Sequence, residues 1–233
     1  IKIDGAQPAL PVSFLYDDES DAGAPGLPPG YPIPEVAQYA PGYVEGGVAG
    51  GGLQGDRHIL LVDRDHGLLF EIYAARFSAG AWSAGSGAIF DFASNARRPE
   101  GWTSADAAGL AILPGLVRAD EVFDAGEITH ALRFTVRGTK GYIYPASHDA
   151  TSGPGGDERP PLGLRARLKA TVDPDTFAAP AAVIIRAMQQ YGLMLADNGS
   201  DWFVSGAPDP RWDDELMHDE FARITGDDFE VVE

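Results

Sequence analysis

The sequence predicts a mainly β fold with α additions: an antiparallel β-sandwich of jelly-roll type, or a barrel, with one or two peripheral helices. Three observations carry this expectation. Short runs rich in β-branched and aromatic residues recur at uneven spacing from Val12 to Val232, each of a length that suits a strand. Glycine (29) plus proline (18) makes 47 of the 233 residues, roughly a fifth. An average chain has about 12%, so turns and long loops are plentiful and a coiled coil or helical bundle is excluded. Only two stretches have helical period, too few for alternating βαβ units.

Residues 1–57 read as an extended, loop-rich opening segment, with Pro25, Gly26, Pro28, Pro29, Gly30, Pro32 and Pro34 breaking any regular element and one strand at 12–16. Residues 58–233 read as a single β-rich domain. Runs at 58–63 and 68–77 flank Arg64-Asp65-His66-Gly67, whose glycine supplies a positive φ, and this predicts a hairpin. Further strands are expected at 87–92, 131–137, 141–145 and 164–170. In the last, Leu164, Ala166, Leu168 and Ala170 alternate with Arg165, Arg167 and Lys169, so one face is buried and the other wet. Residues 179–191 place Val183, Ile184, Ala187, Met188 and Tyr191 on one helical stripe, with Gly192 as the C-terminal stop. A short acidic helix at 213–224, closed by Gly226, and a last strand at 229–232 complete the chain.

Charge and composition exclude several functions. Lys and Arg number 17 against 35 Asp and Glu, a net charge of −18, so a nucleic-acid backbone or an anionic membrane surface is repelled. With no cysteine there is no disulfide framework, thiolate nucleophile or cysteine-based metal site. No apolar run approaches the ~18 residues of a membrane helix, and no membrane insertion is expected. The chain opens on Ile1 rather than Met, which suggests excision from something longer.

Familiar cofactor signatures lack their context. Gly50-Gly51-Gly52-Leu53-Gln54-Gly55 fits G-x-G-x-x-G but precedes a strand instead of opening a helix, so a pyrophosphate finds no helix N-terminus. The five histidines never stand at metal-ligand spacing within one element. No cofactor is expected. Asp197-Asn198-Gly199-Ser200-Asp201 offers oxygens on a tight turn, as Ca2+ loops do, but lacks the closing glutamate of an EF-hand; a plain Asn-Gly turn is the simpler reading of Asp197 and Asp201.

The stretch from Trp82 to Arg133 is richest in chemistry. Its tryptophans, carboxylates and arginines are threaded on glycine-rich loops, which is what a sugar site needs: flat faces for pyranose rings and polar groups for their hydroxyls. Two carboxylates can also hydrolyse a glycosidic bond, one as general acid and one as base or nucleophile. Asp106 and Glu121 are the candidate catalytic pair, assisted by His130 and Asp91, with Trp102, Trp82, Arg133 and Arg118 as candidate substrate-binding residues. Each has a plainer reading: Asp106 follows Thr103-Ser104 and can cap a turn, His130 can be a structural donor, and most acids of so acidic a chain are solvated.

The segments Gly101-Trp102-Thr103-Ser104-Ala105-Asp106-Ala107-Ala108-Gly109-Leu110, Leu113-Pro114-Gly115-Leu116-Val117-Arg118, Asp120-Glu121-Val122, His130-Ala131-Leu132-Arg133-Phe134 and Ala196-Asp197-Asn198-Gly199-Ser200 carry a resemblance over most of residues 55–233. They resemble a family of exported, functionally uncharacterised bacterial proteins often found beside carbohydrate-binding or immunoglobulin-like modules. The resemblance implies an extracellular or cell-surface location and a polysaccharide partner by association. The expectation is therefore a secreted polysaccharide-active domain, a glycoside hydrolase with a carboxylate pair, the alternative being a non-catalytic carbohydrate-binding or surface structural domain.

Overall fold

The computed structural model describes residues 1–232. The chain divides into two compact units, Ile1–Ala111 and Ile112–Glu233. The division falls inside the stretch 58–233 read from sequence as one domain, and the opening segment 1–57 belongs to the first unit. The mainly β expectation with few helices holds, but every sheet mixes parallel with antiparallel pairs.

In the first unit, β1 (Lys2–Ile3), β3 (Ile59–Asp63), β4 (Leu68–Tyr73) and β7 (Ser86–Asp91) form one sheet in the order β1-β3-β4-β7. A smaller sheet joins β2 (Val12–Phe14), β6 (Ala81–Ala84) and β5 (Arg76–Ser78) in the order β2-β6-β5. The expected hairpin is β3–β4, paired from Asp63↔Leu68 to Ile59↔Ile72. Its turn is held by Asp63, whose Oδ1 accepts from the backbone of Asp65 and His66, while Gly67 takes φ +66°. The core gathers Ile59, Leu61, Phe70, Ile72 and Trp82 with Tyr31 and Ile33 from the proline-rich segment. That segment therefore supplies core residues despite its loops. Tyr31 is fully buried, meets Phe14 and Phe70 edge-on, and donates its hydroxyl to the Asp21 carbonyl.

The outer edge of β7 is not left open. Asp21 donates its N–H to the Gly87 carbonyl, and its carboxylate accepts from the Ile89 N–H, so loop backbone and side chain substitute for a further strand.

The second unit is one sheet with helices. Strands β8 (Leu132–Val136), β9 (Arg165–Leu168), β10 (Leu193–Asn198), β11 (Phe203–Val204) and β12 (Phe229–Val232) lie in the order β11-β8-β10-β9-β12. Helix α1 (Ala179–Gln190) buries Ala181, Ala182, Ile184, Ile185, Ala187 and Met188, which keeps Ile184, Ala187 and Met188 of the stripe read from its period but leaves Val183 half-buried and Tyr191 exposed. Gly192 ends it at φ +74°, where a Cβ would stand 2.6 Å from the Ala166 carbonyl oxygen. Helix α2 (Asp214–Phe221) is capped by the Asp213 side chain, which accepts from the Leu216 N–H. Among the described residues no helix is long and apolar enough to cross a membrane.

The strand expected at 141–145 is absent. Tyr142 makes a single bridge to Leu162, because Gly141 turns the backbone to φ +67° and Pro145 has no N–H to continue a ladder.

Candidate functional site

The residues singled out from sequence divide between the two units. Trp82, Asp91, Trp102 and Asp106 belong to the first; Arg118, Glu121, His130 and Arg133 belong to the second.

In the first unit these residues are mostly absorbed into packing. Trp82 on β6 is 3% exposed and tilts against Phe77 at 5.3 Å, so its face is a core surface and not a platform for a sugar. Asp91 is exposed at the end of β7, where Oδ1 accepts the Ala93 N–H and closes a turn. Asp106 is 1% exposed; its Oδ1 accepts from the Ala108 N–H and its own N–H donates to Ser104 Oγ. The turn-capping reading of Asp106 is the one its geometry matches. Trp102 is half-buried, with the Arg98 guanidinium 5.2 Å from its ring centre.

Arg98 was passed over as a site residue, yet its side chain is only 3% exposed. It pairs with Asp21, donates from Nε to the Thr103 carbonyl and from Nη2 to the Glu19 carbonyl, and so ties the loop at residues 19–21 to that at 98–103. Charge burial of this kind is tolerated because every guanidinium edge meets an acceptor.

The second unit brings three of the expected residues together. Arg118 precedes a π-helical turn, Asp120–Ala125, that ends at Gly126 with φ +73°. The turn carries Glu121 back toward Arg118. Arg118 Nη2 donates to Glu121 Oε1 at 2.6 Å and lies 3.1 Å from His130 Nε2, while Glu121 Oε2 is 3.2 Å from the same nitrogen. His130 Nδ1 stands 2.9 Å from the Ala131 carbonyl oxygen. A carbonyl only accepts, so Nδ1 carries a proton, while Nε2 faces both a donor, Arg118, and an acceptor, Glu121. The three side chains are between 17% and 28% exposed, oriented by one another but open to water. Single π turns recur at functional sites, where the extra residue re-aims side chains. Comparison of the chain with protein-family models, curated proteins and solved structures finds no match.

Arg133, on β8, donates from Nη1 to Ser205 Oγ at 2.7 Å, and its Nη2 is 3.6 Å from Asp197 Oδ2. The oxygens considered for Ca2+ face arginines. Asp201 accepts from the Arg137 backbone and guanidinium, which hold its carboxyl below the ordinary carboxylate range, the backbone N–H contributing most. Among the described residues no group of three or more His, Cys, Asp or Glu side chains is placed to hold a metal ion.

Trp202 stacks near-parallel with Phe134 at 5.2 Å and with Phe229 at 4.2 Å. Trp212 leans on Phe123 at 5.0 Å and gives its indole N–H to the Ala207 carbonyl.

Proposed function

We propose that the protein is an exported polysaccharide-recognising module, with its recognition site in the second unit on Arg118, Glu121 and His130, acting by binding and not by hydrolysis. The observation that carries this reading is the mutual orientation of a guanidinium, a carboxylate and an imidazole, each partly open to water. Side chains already ordered by their neighbours lose little entropy when a ligand arrives, and their planar edges suit neighbouring hydroxyls of a pyranose ring. Binding is favoured over hydrolysis because a two-carboxylate mechanism needs both acids exposed to the sugar. Asp106 is buried with its carboxylate capping a turn. A neutral glycan suits a chain of net charge −18 better than a polyanion does.

A purely structural role is the second reading, favoured by the core position of Trp82 and by the pairing of Trp102 with Arg98. Affinity electrophoresis of the intact chain against plant, fungal and bacterial polysaccharides, run alongside a reducing-end assay, separates the readings. We expect retardation by at least one neutral polysaccharide without release of reducing ends. Arg118→Ala should weaken that retention roughly 10- to 100-fold, the loss of about 1.5–3 kcal/mol expected for hydrogen bonds from a charged donor. Release abolished by Glu121→Gln would restore the hydrolase, and no retardation by any polymer would leave the structural role.

A further inference from the structure

His58, at the head of β3, stands between two oxygens. Nδ1 is 2.7 Å from Glu45 Oε2 and Nε2 is 2.9 Å from the Ala105 carbonyl oxygen. A carboxylate and a carbonyl only accept, so both contacts are hydrogen bonds only when both ring nitrogens carry protons. In either neutral tautomer one nitrogen turns a lone pair on an oxygen. The imidazolium is the form that fits.

The contact also closes a loop. Glu45 donates its N–H to the His58 carbonyl, and Glu45 Oε2 accepts from the His58 N–H as well as from the ring, so residues 45 and 58 clasp the glycine-rich segment between them. That segment carries Gly46, Gly47, Gly50, Gly51, Gly52 and Gly55 at positive φ. It ends in strain: Arg57 is held at φ +53°, a left-handed conformation costly for a residue with a Cβ, opposite Ala74 at φ +54°. Exposed apolar side chains, Val48 and Leu53, ride on the loop.

We propose that His58 is a proton-operated latch on the loop of residues 44–57, closed while the ring is doubly protonated and released when it loses a proton. The groups facing the ring are Glu45 from the loop, Asp56 from its own segment, the Tyr73 ring of β4 at 5.7 Å, and the Ala105 carbonyl beside Asp106, while the neighbouring Arg57 guanidinium is turned to the Gly55 and Ala74 carbonyls. Burial is the largest single influence and acts to lower the pKa. The hydrogen bond and charge of Glu45, the Ala105 carbonyl and Asp56 outweigh it, and the net direction is upward. The free-histidine value is about 6.5, so the latch is fully engaged below it and is lost as pH rises through the higher value of the closed loop. The loop therefore loosens on the alkaline side.

Two measurements on the intact chain test this between about pH 5 and 9: NMR of the His58 ring nitrogens, and hydrogen exchange over residues 44–57 corrected for the intrinsic rate. The closed form should show two ring N–H protons. Protection of the Glu45 amide should then fall as the ring titrates, up to about tenfold for each pH unit between the closed-loop and free values. Glu45→Gln removes the facing charge and should move the transition to lower pH while the fold persists. Protection that stays flat while His58 titrates, or a midpoint unmoved in Glu45→Gln, overturns the latch. Because the wild-type titration is itself decisive, the test does not depend on a His58 variant folding.

Discussion

Asp21 meets three needs of the first unit at once: its carboxylate pairs with the buried Arg98 and caps the Ile89 N–H, and its backbone N–H closes the β7 edge. Asp21→Ala leaves Arg98, 3% exposed, without its counter-charge. Removing one partner of a buried pair costs roughly 3–5 kcal/mol, and because Asp21 is itself 27% exposed, water can reach the gap and the loss belongs at or below the lower end of that range. Denaturant unfolding should show it as a lowered midpoint, with Asp21→Asn intermediate because an amide oxygen still serves Ile89; a loss under about 0.5 kcal/mol would mean that the pair behaves as a surface pair. Nothing in the sequence could announce this contact, since Asp21 and Arg98 lie 77 positions apart and both sit in loops with no periodic signal. The members of the Arg118–Glu121–His130 cluster were each nominated from sequence, but Glu121 was paired there with Asp106; the grouping follows from a spacing of three between Arg118 and Glu121, at which one helical turn brings side chains together. His58 was not recognised as a partner of Glu45 because they stand 13 positions apart across a glycine-rich loop and its other acceptor is a backbone carbonyl, which has no sequence signature.

At the scale of elements, the strands and helices with a clean period were readable and those defined by their neighbours were not. Helix α1 and strands β3, β7, β8, β9 and β12 fall on the runs read from sequence to within a residue or two, whereas the run at 68–77 is broken into β4 and β5 at Ala74, which takes φ +54°. Strand β6 (Ala81–Ala84) was missed because three of its four residues are small and its one large side chain, Trp82, reads equally well as a loop aromatic. Strand β10 was hidden by its own end: Leu193 to Ala196 is an apolar run, but the Asp-Asn-Gly that follows drew the reading toward a turn. The parallel pairing of β8 with β10 needs the intervening chain to cross over, and no local pattern specifies that partner. Gly192 marks a junction that was readable, and its substitution is a sharp test. Gly192→Ala forces φ +74° on a residue with a Cβ, worth about 1–2 kcal/mol, and drives that Cβ to 2.6 Å from the Ala166 carbonyl oxygen of the adjoining strand. The contact is with backbone and cannot be relieved by a rotamer change. Unfolding followed by helical circular dichroism should therefore show a loss of more than about 1 kcal/mol; a smaller one would mean that β9 and β10 separate easily at this end.

For the whole molecule the dominant electrostatic fact is an excess of acid shared by both units. Residues 1–111 hold 6 basic and 14 acidic side chains, 6 − 14 = −8, and residues 112–233 hold 11 and 21, 11 − 21 = −10, which together give the −18 of the chain. Two effects of salt oppose each other. Exposed pairs such as Arg167–Glu230, Arg186–Asp175 and Lys140–Asp157 are weakened by screening, but such pairs contribute about 0–1 kcal/mol each. Repulsion among the excess carboxylates is also screened, and it acts within each unit over distances comparable with the Debye length, about 8 Å at physiological ionic strength. With roughly twice as many acids as bases, most carboxylates have no lysine or arginine to pair with and their mutual repulsion outweighs the pairs. Raising sodium chloride from about 0.02 to about 0.5 M, where the Debye length shrinks severalfold, should therefore raise Tm. Differential scanning calorimetry at fixed pH reads the sign directly. A Tm that falls with salt would show that the arginine pairs dominate, and that the acidic surface is offset by a network and not merely solvated.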